Sequence, residues 1–284
     1  MFGLGLIFGS FLNVCIHRLP LGMSVVTPRS VCVRCGHAVR AYDNVPVLSW
    51  LWLRGRCRDC GEPISVRYPL VETLSGLLFL ACALHFMGVL PIAKYCAFCF
   101  LLLGLIFTDL ECLLLPDELT LGGLAVGLGF SLVVWVQGVP GWVLVPRQPW
   151  ELRLVSLLHS AIGALVGAGV VYLIAEVYFR VRGIEGMGLG DVKLMGMIGA
   201  FLGMRLALFT LFAGSALGAV AGMLILCSVF AKRLQRYRSG RRAWQSARRA
   251  AAGIPIPFGT FLGVAALVAA FWGERVMHWY FGMW

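Results

Sequence analysis

The chain has 284 residues, 60% of them hydrophobic and only 13% charged, with a mean hydropathy of +0.87. Soluble domains are about half apolar and about a quarter charged, so this composition excludes a water-soluble globular fold. The net charge of +11 is not the footprint of a nucleic-acid binder, because Lys and Arg fall between apolar segments without an aromatic-interleaved basic surface. It reads as a membrane-topology signal, and no nucleic-acid partner is expected.

With about 20 apolar residues per crossing, helices are predicted over 2–16, 70–88, 92–108, 118–137, 154–177, 191–203, 205–230 and 258–281. The fold class is therefore an all-α polytopic membrane protein with about eight transmembrane helices. The third and sixth segments are short, and the sixth, DVKLMGMIGAFLG, is glycine-interrupted and crosses only as a short or tilted helix. The first stretch lacks the basic start and small-residue cleavage site of a secretory signal, so it reads as a retained helix.

Orientation follows from the cations. Arg18, Arg29, Arg34, Arg40, Arg54, Arg56, Arg58 and Arg67, then Arg180, Arg182 and Lys193, then the run from Lys232 to Arg249 all fall on one side. Lys94, Arg147, Arg153, Arg205 and Arg275 fall on the other. By the positive-inside rule, segments 17–69, 109–117, 178–190 and 231–256 are cytoplasmic and both termini lie outside. The basic run at 232–249 reads first as a topology-fixing loop, with anionic lipid headgroups as the ligand it would otherwise take. The outer segment GVPGWVLVPRQPW reads as an interfacial turn with aromatic anchors.

The first cytoplasmic segment carries Cys32-Val33-Arg34-Cys35 and, about twenty residues on, Cys57-Arg58-Asp59-Cys60, each pair followed by Gly. Paired knuckles at that spacing suit tetrahedral thiolate ligation of zinc, and the following glycine permits the tight turn. Two disulfides are the alternative, which a reducing cytoplasm disfavours. Four Cys ligands leave no open coordination position, so the expected zinc is structural. His37 is a neighbour without a ligand role, and Cys96 and Cys99, with Cys15, Cys82, Cys112 and Cys227, read as packing sulfur.

Acidic residues near apolar segments need a reason, since a centrally buried carboxylate costs about 3 kcal/mol even on the lenient insertion scale. In FTDLECLLLPDEL, Asp109 ends the third helix and Pro116 breaks the chain before Asp117-Glu118; in GIEGMGLGDVKLMG, Asp191 follows a Gly-rich turn. Both emerge on the same predicted side. Facing carboxylates cannot both ionise easily, so one stays protonated as an acid while the other activates water: peptide hydrolysis without a covalent intermediate. Gly188 and Gly190 would leave room for an extended substrate backbone beside Asp191. Asp117 and Glu118 read as helix-start residues favoured by the macrodipole.

These pieces together resemble the type IV prepilin leader peptidases, bifunctional membrane aspartyl proteases of bacterial pilus and type II secretion systems. The resemblance runs over essentially the full length, through FGSFLNVCIHRLP at 8–20, the two Cys knuckles, RYPLVETLSG at 67–76, DLECLLLPDELT at 109–120 and GMGLGDVKL at 186–194. It implies removal of a short basic leader from prepilin and pseudopilin substrates at the cytoplasmic face of the bacterial inner membrane. Methylation of the new N-terminus with S-adenosylmethionine follows. It also implies Asp109 and Asp191 as the proteolytic pair, Asp117 as secondary, and Lys193 as a residue that orients Asp191 or contacts substrate. For methyl transfer it points to Asn13, Arg18, Pro20 and Glu72. The implied organisation is a unit over 1–69, holding the first helix and the four-cysteine loop, and a membrane-embedded peptidase unit over 70–284. Two rivals stand beside it. One is an ion-coupled transporter using Asp109 and Asp191, disfavoured because no inverted repeat is seen and the acids sit at helix ends. The other is a zinc-ribbon scaffold, which leaves both aspartates without a purpose.

Overall fold

The computed structural model describes residues 1–32, 34–135, 149–183, 188–236 and 240–282. Among them are nine α-helices: α1 (Phe2–Arg18), α2 (Leu48–Trp52), α3 (Arg67–His85), α4 (Val89–Cys112), α5 (Asp117–Ser131), α6 (Pro149–Arg182), α7 (Leu189–Arg236), α8 (Gly240–Ala252) and α9 (Phe258–Phe281). Two short 3-10 turns, Leu19–Leu21 and Ala41–Asn44, and two isolated β-bridges lie between α1 and α3. The interfacial turn expected over 138–150 falls outside the described residues as far as 148.

Each predicted apolar segment is helical, with three differences that have physical causes. Six helices are long and apolar enough to cross a membrane individually: α1, α3, α4, α6, α7 and α9. The 191–203 and 205–230 segments join as α7, bent at Gly203 (φ 79°, ψ 171°), a conformation that glycine adopts without steric cost. The predicted 118–137 helix stops at Ser131, whose hydroxyl donates back to the Leu128 carbonyl, leaving 15 residues. At about 1.5 Å per residue, α5 alone is shorter than the hydrocarbon core. Finally, α4 continues past Asp109 to Cys112, where left-handed Leu113 (φ 54°) donates its N–H to the Asp109 carbonyl. Asp109 therefore stands inside the last turn and is not the final helical residue.

Part of the basic run expected as a loop is helix α8. Ala243 and Ala247, four residues apart, are buried on α7, while Arg241, Arg242, Arg248 and Arg249 are exposed. The 3.6-residue period separates the two faces.

Helix pairs approach closely through glycine. A Cβ at Gly5 or Gly9 of α1 would lie 2.6–2.7 Å from α3 backbone at Ser75 and Glu72. Between α6 and α7, a Cβ at Gly199 would collide with the Gly163 carbonyl oxygen, and one at Gly163 with that of Gly199. Small residues four apart let backbones touch where lipid gives no hydrophobic drive between helices. The main core lies among α4, α5, α7 and α9, around Phe98, Leu102, Leu105, Met195, Ile198, Phe201 and Leu262. Because the atoms facing Gly199 are backbone, Gly199→Ala is expected to destabilise by about 1–3 kcal/mol. Gly169→Ala on α6, with open space around it, should be neutral; thermal unfolding in detergent compares the two.

Candidate active site and cysteine centre

Asp109 and Asp191 come together at one end of the bundle, 5% and 8% exposed respectively. They lie within coulombic range of each other. Asp191 is in the first turn of α7, with its N–H bonded to the Gly188 carbonyl at 3.1 Å. Leu115, in the α4–α5 connection, packs near both acids. Its side chain lies against Gly190, next to Asp191, and against Gly259, whose missing Cβ would be 3.1 Å from Asp109 Oδ2. The Gly190 site is thus occupied by Leu115, whereas a Cβ at Gly188 would meet only the Gly190 backbone nitrogen, at 3.9 Å.

Thr260, which the sequence reading did not single out, holds Asp109. In the first turn of α9, its backbone N–H donates to Oδ2 at 2.6 Å and its hydroxyl donates to the same oxygen at 3.0 Å. A carboxylate at a helix N-terminus meets aligned backbone dipoles as well. The pair joins residues 151 positions apart, so no local motif announces it. Oδ2 is fixed by this contact, and Thr260 leaves Oδ1 unengaged.

Lys193 lies two residues from Asp191 and pairs with Asp117 Oδ1 at 2.6 Å. That contact ties the start of α7 to the start of α5, where Asp117 and Glu118 occupy the first turn after Pro116. Both partners are substantially exposed, so the pair is worth about 0.2–1 kcal/mol.

At the same end, a cavity of about 630 Å³ opens between α1, α3 and the cysteine loop, and Asn13, Arg18 and Glu72 all line it. Pro20 sits outside the lining, in the 3-10 turn after α1. Glu72, 7% exposed, accepts the Val47 N–H at 2.7 Å. Val47 has φ 61°, a costly conformation for a β-branched residue, so the fold holds a strained amide on this carboxylate. Asn13 donates to the Tyr68 carbonyl at 3.1 Å, while its own Oδ1 is buried without a hydrogen-bond partner. Arg18 is buried and donates to the carbonyls of Ser24 and Arg29; it ties down the loop as well as lining the cavity. Arg67 and Glu111 form an ion pair on the wall, and Glu111 is two residues beyond Asp109 on α4.

The two Cys knuckles repeat one geometry. Cys32 N–H donates to the His37 carbonyl and Gly36 N–H to that of Cys32; Cys57 N–H donates to Glu62 and Gly61 N–H to Cys57. Gly36 and Gly61 have φ 72° and 71°, the left-handed turn their type permits. Sγ atoms of Cys32, Cys35, Cys57 and Cys60 all lie within 4.8 Å of one another, and none forms a disulfide. The Cys32–Cys60 separation is 3.8 Å, close to the edge of a tetrahedron with Zn–S bonds of about 2.3 Å. The N–H groups of Cys35 and Arg34 hold the Cys32 thiol down to about 7, which favours the thiolate. Arg58 grips Asp43 in a two-pronged contact at 2.6 and 2.8 Å, fastening the second knuckle to the 41–44 turn and holding the Asp43 carboxyl below its ordinary value.

Two shielded carboxylates thus meet at one end of a polytopic bundle. Residues 4–86 match the bacterial peptidase A24 N-terminal domain, and residues 96–223 match the type IV leader peptidase family. A prepilin leader peptidase/N-methyltransferase of Aeromonas hydrophila is 34% identical over 304 positions, spanning 99% of this chain and 92% of that protein. One from Myxococcus xanthus is 42% identical over 226 positions, spanning 80% and 62%, and one from Stutzerimonas stutzeri is 34% identical, spanning 96% and 90%. No solved structure matches the chain. The chain belongs to the type IV leader peptidase family.

Thr260→Val keeps the N–H donor to Asp109 and removes the hydroxyl. Leader cleavage in membranes should slow about tenfold in kcat with KM little changed, and Thr260→Ser should restore it.

Proposed function

We propose that the chain cleaves the leader of prepilin and pseudopilin substrates with Asp109 and Asp191, then methylates the new N-terminus in the cavity bounded by Asn13, Arg18 and Glu72. The observation that carries the first half is the meeting of two shielded acids from α4 and α7, one anchored through a single oxygen. In this reading, Asp109 Oδ1 takes a proton from water as the water oxygen bonds to the scissile carbonyl carbon, and Asp191 gives its proton to the carbonyl oxygen. The C–N bond then breaks, the amine takes the proton held on Asp109, and Asp191 recovers its own from the collapsing hydroxyl. Gly188 leaves room for an extended backbone. Lys193, through Asp117, sets the position of the helix that carries Asp191 and does not itself reach the reacting atoms.

The second half rests on the cavity. Its volume lies in the range of small-molecule sites, and the orphaned Asn13 Oδ1 and the Glu72 carboxylate suit a cationic, donor-rich ligand such as S-adenosylmethionine, which supplies an electrophilic methyl group when bound. Glu72 would receive the incoming amine and accept the proton it sheds. Arg18 would keep the loop closed over the site. Cys32, Cys35, Cys57 and Cys60 would hold a zinc ion structurally, since four thiolates leave it no open position. We place this face in the cytoplasm of a bacterial inner membrane. The cations between helices gather at the end that carries Asp109, Asp191 and the cysteine loop, which supports that orientation. The organisation proposed is residues 1–69 as the loop-bearing unit and 70–284 as the peptidase unit, with α3 contributing Glu72 to the cavity.

Mass spectrometry of a processed pilin N-terminus tests both halves. Asp109→Asn and Asp191→Asn should each lower cleavage by about a thousandfold or more at unchanged protein level; full cleavage by both variants would sink the assignment. Glu72→Gln should leave cleavage intact and give a product lacking the added methyl group, and a normally methylated product would remove Glu72 from the site.

A further inference from the structure

A second cavity, of about 270 Å³, lies at the opposite end of the bundle between α3, α4, α7 and α9. Lys94 lines it and is 1% exposed. Lys94 precedes Asp109 by fifteen residues on α4, about 22 Å along the axis, so the cavity is remote from the carboxylates. Glu274 and Arg275 also line it, about as far along α9 from Thr260.

A buried ammonium needs a counter-charge or several acceptors. Among the described residues, Lys94 makes no hydrogen bond or ion pair; its contact is the Tyr95 ring, 5.3 Å from Nζ to the centroid. Glu274 shares the cavity without closing to ion-pair distance. Arg275, exposed at the rim, adds a second cation. Phe86 stacked on Tyr95 at 3.7 Å, with Phe271 and Trp135, supplies an aromatic wall. The chemistry called for is a single anionic group that enters between cations while an apolar body lies against rings.

The surroundings indicate where that anion comes from. Lys94 is five residues inside α4, about 8 Å below the helix start, and Trp272, Trp279 and Tyr280 on α9 are exposed nearby in sequence, as in an interfacial aromatic belt. The first half of α7 spans only 189–202 before the Gly203 bend, about 21 Å, which leaves a recess over Phe201, Leu202 and Leu206 at the cavity floor.

We propose that this recess is a binding site for the phosphate of a phospholipid headgroup in the leaflet opposite the catalytic face, with the phosphate held by Lys94 and Arg275. A free phosphate ion shares the charge chemistry but has no apolar body for the aromatic wall. The full chain is purified into nanodiscs of phosphatidylcholine containing a minor fraction of phosphatidylglycerol, and co-released lipid is counted by native mass spectrometry. The wild type should retain phosphatidylglycerol, Lys94→Met and Arg275→Gln should each lower its retention about tenfold, and millimolar inorganic phosphate should not displace it. Glu274→Gln, which removes the competing carboxylate, should raise retention. Leader cleavage by each variant verifies folding, since none of these residues touches the catalytic end. Unchanged retention in Lys94→Met would overturn the proposal, as would displacement by inorganic phosphate. A fall in retention in Glu274→Gln would also overturn it, because removing a carboxylate beside a bound phosphate cannot weaken its hold.

Discussion

Backbone contact between α6 and α7 is the constraint on which the rest of the molecule depends. In lipid, apolar side chains gain nothing by leaving one helix surface for another, so close association needs surfaces that fit. Gly163 and Gly199 bring the two backbones together, and this fixes the first half of α7 against the bundle. Everything α7 contributes then follows: Asp191 at its start, Ile198 and Phe201 in the core, and the Gly203 bend. The same device recurs at Gly5 and Gly9, where α1 settles on α3 and brings Asn13 to the cavity that Glu72 also lines.

On that scaffold, polar groups are managed by giving each a protein partner. Asp109 receives two donors from Thr260, Glu72 an amide from Val47, and Lys193 a carboxylate from Asp117. Such bonds position a group and also make its burial tolerable. The groups with something left over are informative. Asp109 keeps one oxygen free of Thr260, Asn13 keeps a buried acceptor, and Lys94 keeps an ammonium. In a well-satisfied interior those are the places where bonding capacity is left unused.

Much of this was legible in the sequence because it is local. Hydropathy located every apolar helix, and Cys-x-x-Cys-Gly announced both knuckles down to their left-handed glycines. The two aspartates stood out because charge is rare in such a chain. What was missed depends on distance or on competing signals. Thr260 meets Asp109 across 151 positions, and an ordinary threonine carries no mark of that. Within the basic run, arginines hid the spacing of Ala243 and Ala247 that makes α8 a helix. Lys94 counted only as a topology cation until the fold showed it enclosed. Lys193 meets Asp117 across 76 positions, a partner that no local pattern announced.

The Arg67–Glu111 pair has a mechanical meaning. Glu111 belongs to the cavity wall, Asp109 to the pair of shielded acids, and both ride on the final turns of α4. Over so short a span a helix is a rigid rod, so neither residue shifts or rotates without the other.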